Sequence, residues 1–445
     1  MCCVVSDSRD PGRLTVRTIA VPDTGDVLAG LPDPDVVAWV RHGSGLAGWG
    51  EAARVTLPSG EDRFTAGEKW LRSLFDAADV DDQVRTRGTG PVAFGTFTFD
   101  PSSDGSVLVV PRVLRGRDGR GRAWLTTVGM PQDTAQAHGT GQAHGTAQAH
   151  GSAQAHGTPE AEGVPERALA GIRWHDGSLS APHWELAVAR AVTAIKANDP
   201  LRKVVLARDL YATAAGPIDA RVLLGRLAAR YPDCYSFACD GLVGATPELL
   251  IRRDGRTVSA LVLAGTTPRG GSEPEDDALG AALLADAKNA EEHVYAVTSM
   301  RDALEPLCET LDIEAHPVLL KLPNLQHLGT QVHGTLRASR EAGKSALALA
   351  GAVHPTAAVC GTPTGTAMEL IRELEQMDRE RYAGPVGWVD ADGNGEFGIA
   401  LRCAQLSGNT ARLFAGCGIV AGSVPDAELA EAQVKFRPMR NALDG

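Results

Sequence analysis

The segment 416–435 near the end of the chain places two glutamates and a lysine where they can do chemistry. Glu428, Glu431 and Lys435 are separated by three and four residues, so they share one face of any helix they form. Carboxylates that converge can hold a hard divalent cation, and the ammonium group can hold an anion. The same spacing fits an ordinary exposed ion pair between Glu431 and Lys435, so the residues alone leave both interpretations open.

Two further residues offer proton transfer. Lys203 begins the apolar run 203–210, where desolvation favours the neutral amine that a general base requires. Glu248 follows Pro247 and enters another apolar run, where burial raises the pKa of a carboxyl and suits it to act as a general acid. The alternatives are a strand-end lysine that reaches solvent and a carboxylate in an exposed turn.

Arg402 and Glu292 offer sites for an anion and a cation. Arg402 belongs to a predicted strand over 396–406, where alternation surrounds it with small side chains. That leaves room for the guanidinium to bind a carboxylate with two hydrogen bonds. Glu292 lies four residues after Lys288 in a predicted long helix over 276–310, a spacing that also fits a surface ion pair.

The elements that must position these side chains are mixed. Residues 1–130 are β-rich with one helix near 66–78, and from about 180 onward helices and strands alternate irregularly. The pattern predicts helices at 184–198, 218–231, 276–310, 345–352, 366–381 and after 423. It predicts strands at 203–210, 235–238, 248–253, 257–263, 385–390, 396–406 and 411–420, with a loop over 264–275. Without a regular β-α-β rhythm, this organisation indicates an α+β fold.

Composition narrows the possible partners and compartments. The net charge of -12 and the absence of a basic block argue against nucleic acid and anionic membranes as partners. The eight cysteines form no CxxC motif and show no metal-ligand spacing, which is typical of a reduced compartment. No apolar run approaches the roughly 18 residues of a membrane span, and no signal peptide is recognisable. We therefore expect a soluble cytoplasmic protein.

A low-complexity segment interrupts the chain. The unit Ala-Gln-Ala-His-Gly recurs over 133–157 and spaces four histidines six residues apart. Such a composition cannot bury a core, so it predicts a disordered insertion at 131–165. The flanking parts are then a β-rich N-terminal region, 1–130, and a catalytic region, 166–445. The histidines could also bind a transition metal weakly, so a non-catalytic metal-binding protein is a remote alternative.

A series of short motifs, taken in order over residues 180–440, resembles the chorismate-utilising enzymes. That family includes isochorismate, salicylate, anthranilate and aminodeoxychorismate synthases. The matching motifs include Lys203-Val-Val-Leu-Ala-Arg208, Gly244-Ala-Thr-Pro-Glu248, Lys288-Asn-Ala-Glu-Glu-His293, Cys360-Gly-Thr-Pro363, Arg381-Tyr-Ala-Gly384 and Glu428-x-x-Glu431-x-x-x-Lys435. The resemblance implies a chorismate-binding-enzyme fold, with large mixed or antiparallel β-sheets packed with helices around a central active-site cleft. It also implies a monomer.

The resemblance further implies a role for each candidate residue. Mg²⁺ would be held by Glu292 and Glu431, with Glu428 near it, and would bind the ring carboxylate of chorismate. The positions that hold the two substrate carboxylates would be Lys435, Gly416 and Gly418 for the ring carboxylate, and Arg402 and Tyr382 for the enolpyruvyl carboxylate. Those that line the ring site would be Gly265, Thr266, His327 and Ala358.

Two positions separate the branches of the family. Members that use ammonia carry glutamine where this chain has Lys203, and members that use a nucleophilic lysine carry it where this chain has Ala264. Lysine and alanine together imply that water attacks C2 of chorismate, with Lys203 as the base and Glu248 as the acid that releases the C4 hydroxyl. The implied product is isochorismate, a precursor of menaquinone and of siderophores.

A salicylate synthase, which also eliminates pyruvate, is the main alternative. It would share all the residues named so far. Ala358 favours the isochorismate branch, because salicylate synthases tend to carry threonine there.

Overall fold

The computed structural model describes residues 13–129, 169–197, 200–338 and 344–445. The histidine repeat, the whole predicted insertion at 131–165 and residues 198 and 199 lie outside these ranges. Within them the chain forms a large, mainly antiparallel sheet packed with helices, which confirms the predicted α+β class.

The helices and strands have the following bounds. The helices are α1 (Arg63–Asp76), α2 (Ala181–Ala197), α3 (Ala220–Arg230), α4 (Glu273–Ala285), α5 (Ala287–Leu304), α6 (Ala346–Val353), α7 (Thr364–Glu375) and α8 (Pro425–Asp444). The first strands are β1 (Thr15–Val21), β2 (Val36–Arg41), β3 (Ser44–Thr56), β4 (Asp79–Asp82), β5 (Val92–Thr96), β6 (Val107–Arg117), β7 (Ala123–Gly129), β8 (Arg173–Asp176), β9 (Lys203–Thr213) and β10 (Tyr235–Cys239). They are followed by β11 (Leu242–Thr246), β12 (Leu249–Asp254), β13 (Thr257–Pro268), β14 (Cys308–Ile313), β15 (Val318–Lys321), β16 (Leu325–Leu336), β17 (Gly361–Thr362), β18 (Pro385–Asp390), β19 (Gly395–Ile399), β20 (Cys403–Ser407) and β21 (Thr410–Ile419).

One hydrogen-bonded ladder links these strands, and it forks at β6. A stem of β4, β1 and β7 leads into β6. The first arm runs from β6 through β3, β2, β10, β11, β20 and β21 to β9. The second arm runs through β5, β18, β19, β12 and β13 to β16. The arms pack face to face, because a Cβ added at Gly398 of the second arm would lie 2.7 Å from the Trp39 ring of the first.

The chain crosses between the two arms at two adjacent places. It leaves the first arm between β11 and β12, at Glu248, and returns to it between β19 and β20, at Arg402. Two backbone hydrogen bonds join the crossings, from Ala245 N–H to the Arg402 carbonyl (3.2 Å) and from Ile399 N–H to the Glu248 carbonyl (3.3 Å). These crossings bring Glu248 and Arg402 together from distant parts of the chain.

Most of the predicted elements exist, but the predicted helix over 276–310 is wrong. It consists of α4 and α5, separated at Asp286, and its last residues belong to β14. Asp286 adopts extended backbone angles and its carboxylate accepts a hydrogen bond from Asn289 N–H at 2.7 Å. An aspartate at a helix N-terminus satisfies backbone donors that would otherwise remain unpaired, so it starts a new helix here. Beyond Cys308, pairing with β16 prevails over helix propensity.

Two predictions around the strands are also wrong. The predicted strand over 396–406 is broken into β19 and β20, because the chain changes arms there and Arg402 adopts a left-handed backbone with φ of 51°. Where a loop was expected from residue 264, β13 continues to Pro268 through a bulge. Gly265 occupies the bulge with φ of 77°, a conformation that glycine adopts without steric cost.

Candidate active site

A cleft with about 590 Å³ of empty space, part of it open to solvent, lies between the two arms. The residues of the first arm that line it are Val205, Gly416 and Gly418, and those of the second arm are Leu263, Ala264, Gly265, Thr266 and His327. Helices, crossings and loops supply the rest, among them Glu248, Glu292, Ala358, Arg379, Tyr382, Arg402 and Lys435. The fold thus brings the predicted substrate-binding positions to one cavity.

Lys203 lies just behind the cleft wall. Its side chain is 0% exposed, and its Nζ lies 3.1 Å from Glu292 Oε1, which lines the cleft. No hydrogen-bond acceptor in the described residues satisfies Nζ. The lysine is therefore buried, as a general base at this position requires, and does not reach solvent at the end of the strand. Its ammonium group is adjacent to the cleft at the position that Glu292 occupies.

Glu248 enters the cleft from the first crossing. The residue is 4% exposed, and burial raises the pKa of its carboxyl to about 8 even though the Leu263 backbone and the Lys203, Arg402 and Lys435 charges act to lower it. Desolvation therefore prevails over three nearby cations. At neutral pH this carboxyl holds a proton that it can donate.

Three glutamates line or underlie the same end of the cleft, and each contacts a different lysine. Lys203 contacts Glu292, Lys288 contacts Glu428 at 2.6 Å, and Lys435 contacts Glu431 at 2.5 Å. Burial lowers the pKa of Lys288, but the charges of all three glutamates act on it and leave it raised. Three glutamates and three lysines therefore form one cluster, and the potential ligand atoms that lie within 4.8 Å of one another include those of Glu428 and Glu431 but not of Glu292.

The donor set of this site fits Mg²⁺. Carboxylate oxygens of Glu428 and Glu431 lie within 4.8 Å of one another and of the Cys417 thiol. Burial and the nearby Glu431 charge raise the pKa of Glu428 although Lys288 acts to lower it, so a further cation at this place would favour the charged carboxylate. Burial raises the pKa of Cys417 well above its usual range, so the thiol stays protonated. Hard oxygen ligands without a thiolate suit Mg²⁺.

Gly418 leaves the space that the Glu292 carboxylate occupies. A Cβ added at Gly418 would lie 2.1 Å from Glu292 Oε1 and 3.0 Å from Lys203 Cε. The glycine therefore leaves the space that both side chains occupy. Gly416, two residues earlier, contributes its carbonyl oxygen, which accepts a hydrogen bond from Lys435 Nζ at 2.9 Å.

The opposite end of the cleft is built around His327. Arg402 Nη2 donates toward His327 Nε2 at 3.4 Å, so Nδ1 carries the proton and donates to Thr266 Oγ1 at 3.0 Å. Burial, and then the Arg402 charge, hold the pKa of His327 well below its usual value. Arg402 therefore faces a neutral imidazole, and its charge remains available for an anion.

The remaining predicted positions also lie at the cleft. Tyr382 stacks on Phe414 with ring centroids 5.1 Å apart, and burial raises the pKa of its hydroxyl above the usual range, so it stays protonated. The methyl groups of Ala264 and Ala358 line the wall. His293 is buried beneath the cleft, where it bonds the Ala264 carbonyl at 3.2 Å and Thr330 Oγ1 at 2.7 Å.

Among the described residues, Arg379 is the charged cleft-lining residue that sequence reasoning missed, and several apolar lining residues were missed as well. It lies four residues after Glu375, a spacing that is ordinary on any helix surface. Only the tertiary structure shows that both side chains are buried.

The fold and the cleft define the class of the protein as an α+β enzyme with cationic and acidic side chains at one small-molecule cleft. The profile of the family described as "Chorismate binding enzyme" matches residues 38–444, so the chain belongs to the chorismate-binding enzymes. A Mycobacterium tuberculosis protein carrying the name MenF is 46% identical over 270 residues, which cover 58% of this chain and 72% of that protein. Isochorismate synthase MenF of Bacillus subtilis is 42% identical over 271 residues, covering 60% of this chain and 56% of its own length.

A solved structure extends the likeness over nearly the whole chain. The menaquinone-specific isochorismate synthase MenF of Escherichia coli superposes with a TM-score of 0.77 at 27% identity, covering 97% of this chain and 95% of that one. In the described ranges, no helix has the length and apolarity needed to cross a membrane.

Proposed function

We propose that this chain is an isochorismate synthase, which isomerises chorismate with the help of Mg²⁺. The observation that carries the proposal is the pairing of a fully buried lysine with a buried, protonated glutamate at one cleft. Lys203 and Glu248 interact electrostatically, and an anion clamp, Arg402, lies beside them. The similarity to relatives named isochorismate synthase supports the same reaction.

The proposed reaction adds water at C2 and removes the C4 hydroxyl. Lys203 takes a proton from water once Glu292 has left its Nζ, and the water oxygen forms a bond to C2. The diene shifts, the C4–O bond breaks, and Glu248 protonates the departing hydroxyl, so water is consumed and released and the net change is an isomerisation. Lys203 then releases its extra proton to solvent, and Glu248 takes up a proton from solvent.

Glu292 and Glu431, with Glu428 beside them, would hold the Mg²⁺. The ion would supply positive charge at the ring carboxylate, which is conjugated with the reacting carbons. Lys435 and the backbone at Gly416 and Gly418 would hold that same carboxylate.

Binding of the rest of the substrate falls to the other end of the cleft. Arg402 and Tyr382 would hold the enolpyruvyl carboxylate, and the ring would lie against Gly265, Thr266, His327 and Ala358. Ala264 offers no nucleophile, which is consistent with direct attack by water.

The test is product chromatography after incubation of the purified chain with chorismate and Mg²⁺. We expect isochorismate, and we expect Lys203→Ala to abolish its formation. Absence of isochorismate, or full activity of Lys203→Ala, would contradict the proposal. Stoichiometric release of pyruvate from chorismate would instead identify a salicylate synthase.

Pathway, compartment and assembly complete the proposal. The product would feed menaquinone or siderophore biosynthesis in the cytoplasm, and the enzyme would be a monomer. Genomic neighbours would distinguish the two pathways, and light scattering would measure the mass of the particle.

A further inference from the structure

The strand that carries Lys203 lacks a neighbouring strand on one side. On one edge β9 pairs with β21 along nearly its whole length. On the other edge β17 pairs with Lys203 and Val204, and β8 pairs with residues 210–213. Among the described residues, no strand pairs with residues 205–209 on that edge. Buried backbone groups there need other partners.

Side chains supply those partners in the gap. Arg379 Nη2 donates to the Val205 carbonyl at 2.7 Å, and a Glu375 carboxylate oxygen accepts from Ala207 N–H at 2.7 Å. Trp184 Nε1 donates to the Ala207 carbonyl at 3.0 Å. Together with the backbone hydrogen bond from Val205 N–H to the Cys360 carbonyl (2.7 Å), these groups replace the missing strand, and Glu375 and Arg379 contribute two of the four contacts.

The same ion pair also holds the neighbouring segment of the cleft wall, whose Cys360 carbonyl accepts a hydrogen bond from Val205 N–H. Arg379 Nη1 donates to the Val359 carbonyl at 2.8 Å, and its Nε donates to Glu375 at 2.9 Å. Val205 and Val359 both line the cleft. Lys203 lies two residues before Val205, and Ala358 precedes Val359, so one guanidinium joins the lysine strand to the wall that carries Ala358.

Stability alone does not account for this arrangement. The side chains of Arg379 and Glu375 are only 2% and 1% exposed. Burying two charges costs about as much as their attraction returns, and well-packed apolar residues often stabilise a fold equally well. A planar guanidinium differs from an apolar side chain because it fixes several acceptors in one plane.

We propose that the Glu375–Arg379 ion pair is a positioning pair, which sets the distance between Lys203 and the cleft wall at Ala358. The proposal rests on the proposed function, in which Lys203 is the base. The hydrogen bonds of Arg379 to Glu375, Val205 and Val359 already engage all three of its nitrogens, so it acts through the lysine strand rather than on the substrate.

The main test variant is Arg379→Lys, which keeps the charge but removes the planar fork. A misplacement of about 1 Å can cost about 100-fold in rate, so we expect kcat for isochorismate formation to fall by about that factor. KM for chorismate should stay within about threefold, because the groups that bind substrate remain. Hydrogen exchange at the Ala207 amide should accelerate by at least about tenfold as its hydrogen bond to Glu375 loosens.

The controls are Glu373→Gln and Arg372→Lys on α7, the helix that ends at Glu375. Both side chains are about half exposed and form ion pairs, with Arg190 and Asp100 respectively, and both variants should match the wild type in kcat and in exchange. If Arg379→Lys does not fold, the double variant Glu375→Gln with Arg379→Gln leaves no unpaired buried charge and takes its place in the same assays.

Unchanged kcat, or equal losses in kcat for the control variants, would overturn the positioning role. A wild-type chain that forms no isochorismate would overturn the proposed function instead. In that case only the hydrogen-exchange measurement tests the ion pair. Unchanged exchange at the Ala207 amide in Arg379→Lys would show that the pair does not hold the lysine strand.

Discussion

Replacing Gly418 with alanine should disable the proposed active site without unfolding the protein. The new Cβ would lie 2.1 Å from Glu292 Oε1, whereas ordinary contacts begin at 3.4 Å. The carboxylate must therefore retreat by about 1.3 Å, the difference between these distances. Lys203 Cε, at 3.0 Å, must also shift slightly.

Stability and function should respond differently to this retreat. Glu292 Oε1 is the end of a flexible side chain, so folding can accommodate the change, and removing a glycine stabilises the folded state by about 0.4–1 kcal/mol where the backbone allows it. A displacement of about 1 Å at a reacting group costs about 100-fold in kcat/KM. A misplaced ligand should also weaken Mg²⁺ binding by about 10–100-fold.

Three measurements check this prediction. They are the initial rate of isochorismate formation, the Mg²⁺ dissociation constant by calorimetry, and the thermal midpoint, which should change by less than about 4 °C. Gly422→Ala is the matched control, since a Cβ there meets no atom of the described residues within 4 Å. If Gly418→Ala retains wild-type activity and Mg²⁺ affinity, the placement of Glu292 and its role as a ligand are both wrong.

The remaining predictions concern proton donation, the metal and the histidine repeat. Glu248→Gln should lower kcat/KM by about 10²–10⁴-fold, and wild-type kcat/KM should fall as the pH rises through about 8, where Glu248 loses the proton it must donate. Because the folded-state pKa of Glu248 lies above its usual value of 4.5, the free energy of unfolding should decline between pH 4.5 and 8. Urea titrations should show that this decline, roughly 3–5 kcal/mol, disappears in Glu248→Gln. Chelation with EDTA should abolish activity and added Mg²⁺ restore it, and Mg²⁺ should raise the thermal midpoint of the wild type but not of Glu431→Gln. Deletion of residues 133–157 should leave chorismate turnover unchanged, and a large loss would give the repeat a functional role.

Local sequence patterns predicted most helices and strands of this fold, because in those segments the local preference agrees with the tertiary structure. The apolar run that starts at Lys203 is a strand, and the face with Glu428 belongs to a helix. The failures occur where a single residue outweighs the pattern around it. Asp286 caps a new helix inside a helical stretch, and Gly265 permits a bulge where a loop was expected.

The composition of the candidate site was easier to predict than its geometry. Residue types at motif positions indicated Lys203, Glu248 and the glutamates. Spacing along the chain cannot reveal that each glutamate contacts a lysine, since Lys288 and Glu428 are 140 residues apart. It also cannot show that Arg379 is buried, because an (i, i+4) pair looks the same on a surface.

The two adjacent crossings between the arms explain how this cleft holds a proton-donating carboxyl and a guanidinium close together. At Arg402 the backbone adopts a left-handed conformation that costs a non-glycine residue about 1–3 kcal/mol. That conformation occurs where the chain changes arms, and the adjacent crossing delivers Glu248, so the two hydrogen bonds that join the crossings hold both side chains. In an unbroken strand Glu396 and Arg402 would lie on the same face, because they are an even number of residues apart. The break in the strand lets Arg402 contact His327 while Glu396 bonds Trp39 Nε1. The strained backbone therefore separates a buried structural carboxylate from a guanidinium that must remain free to bind an anion.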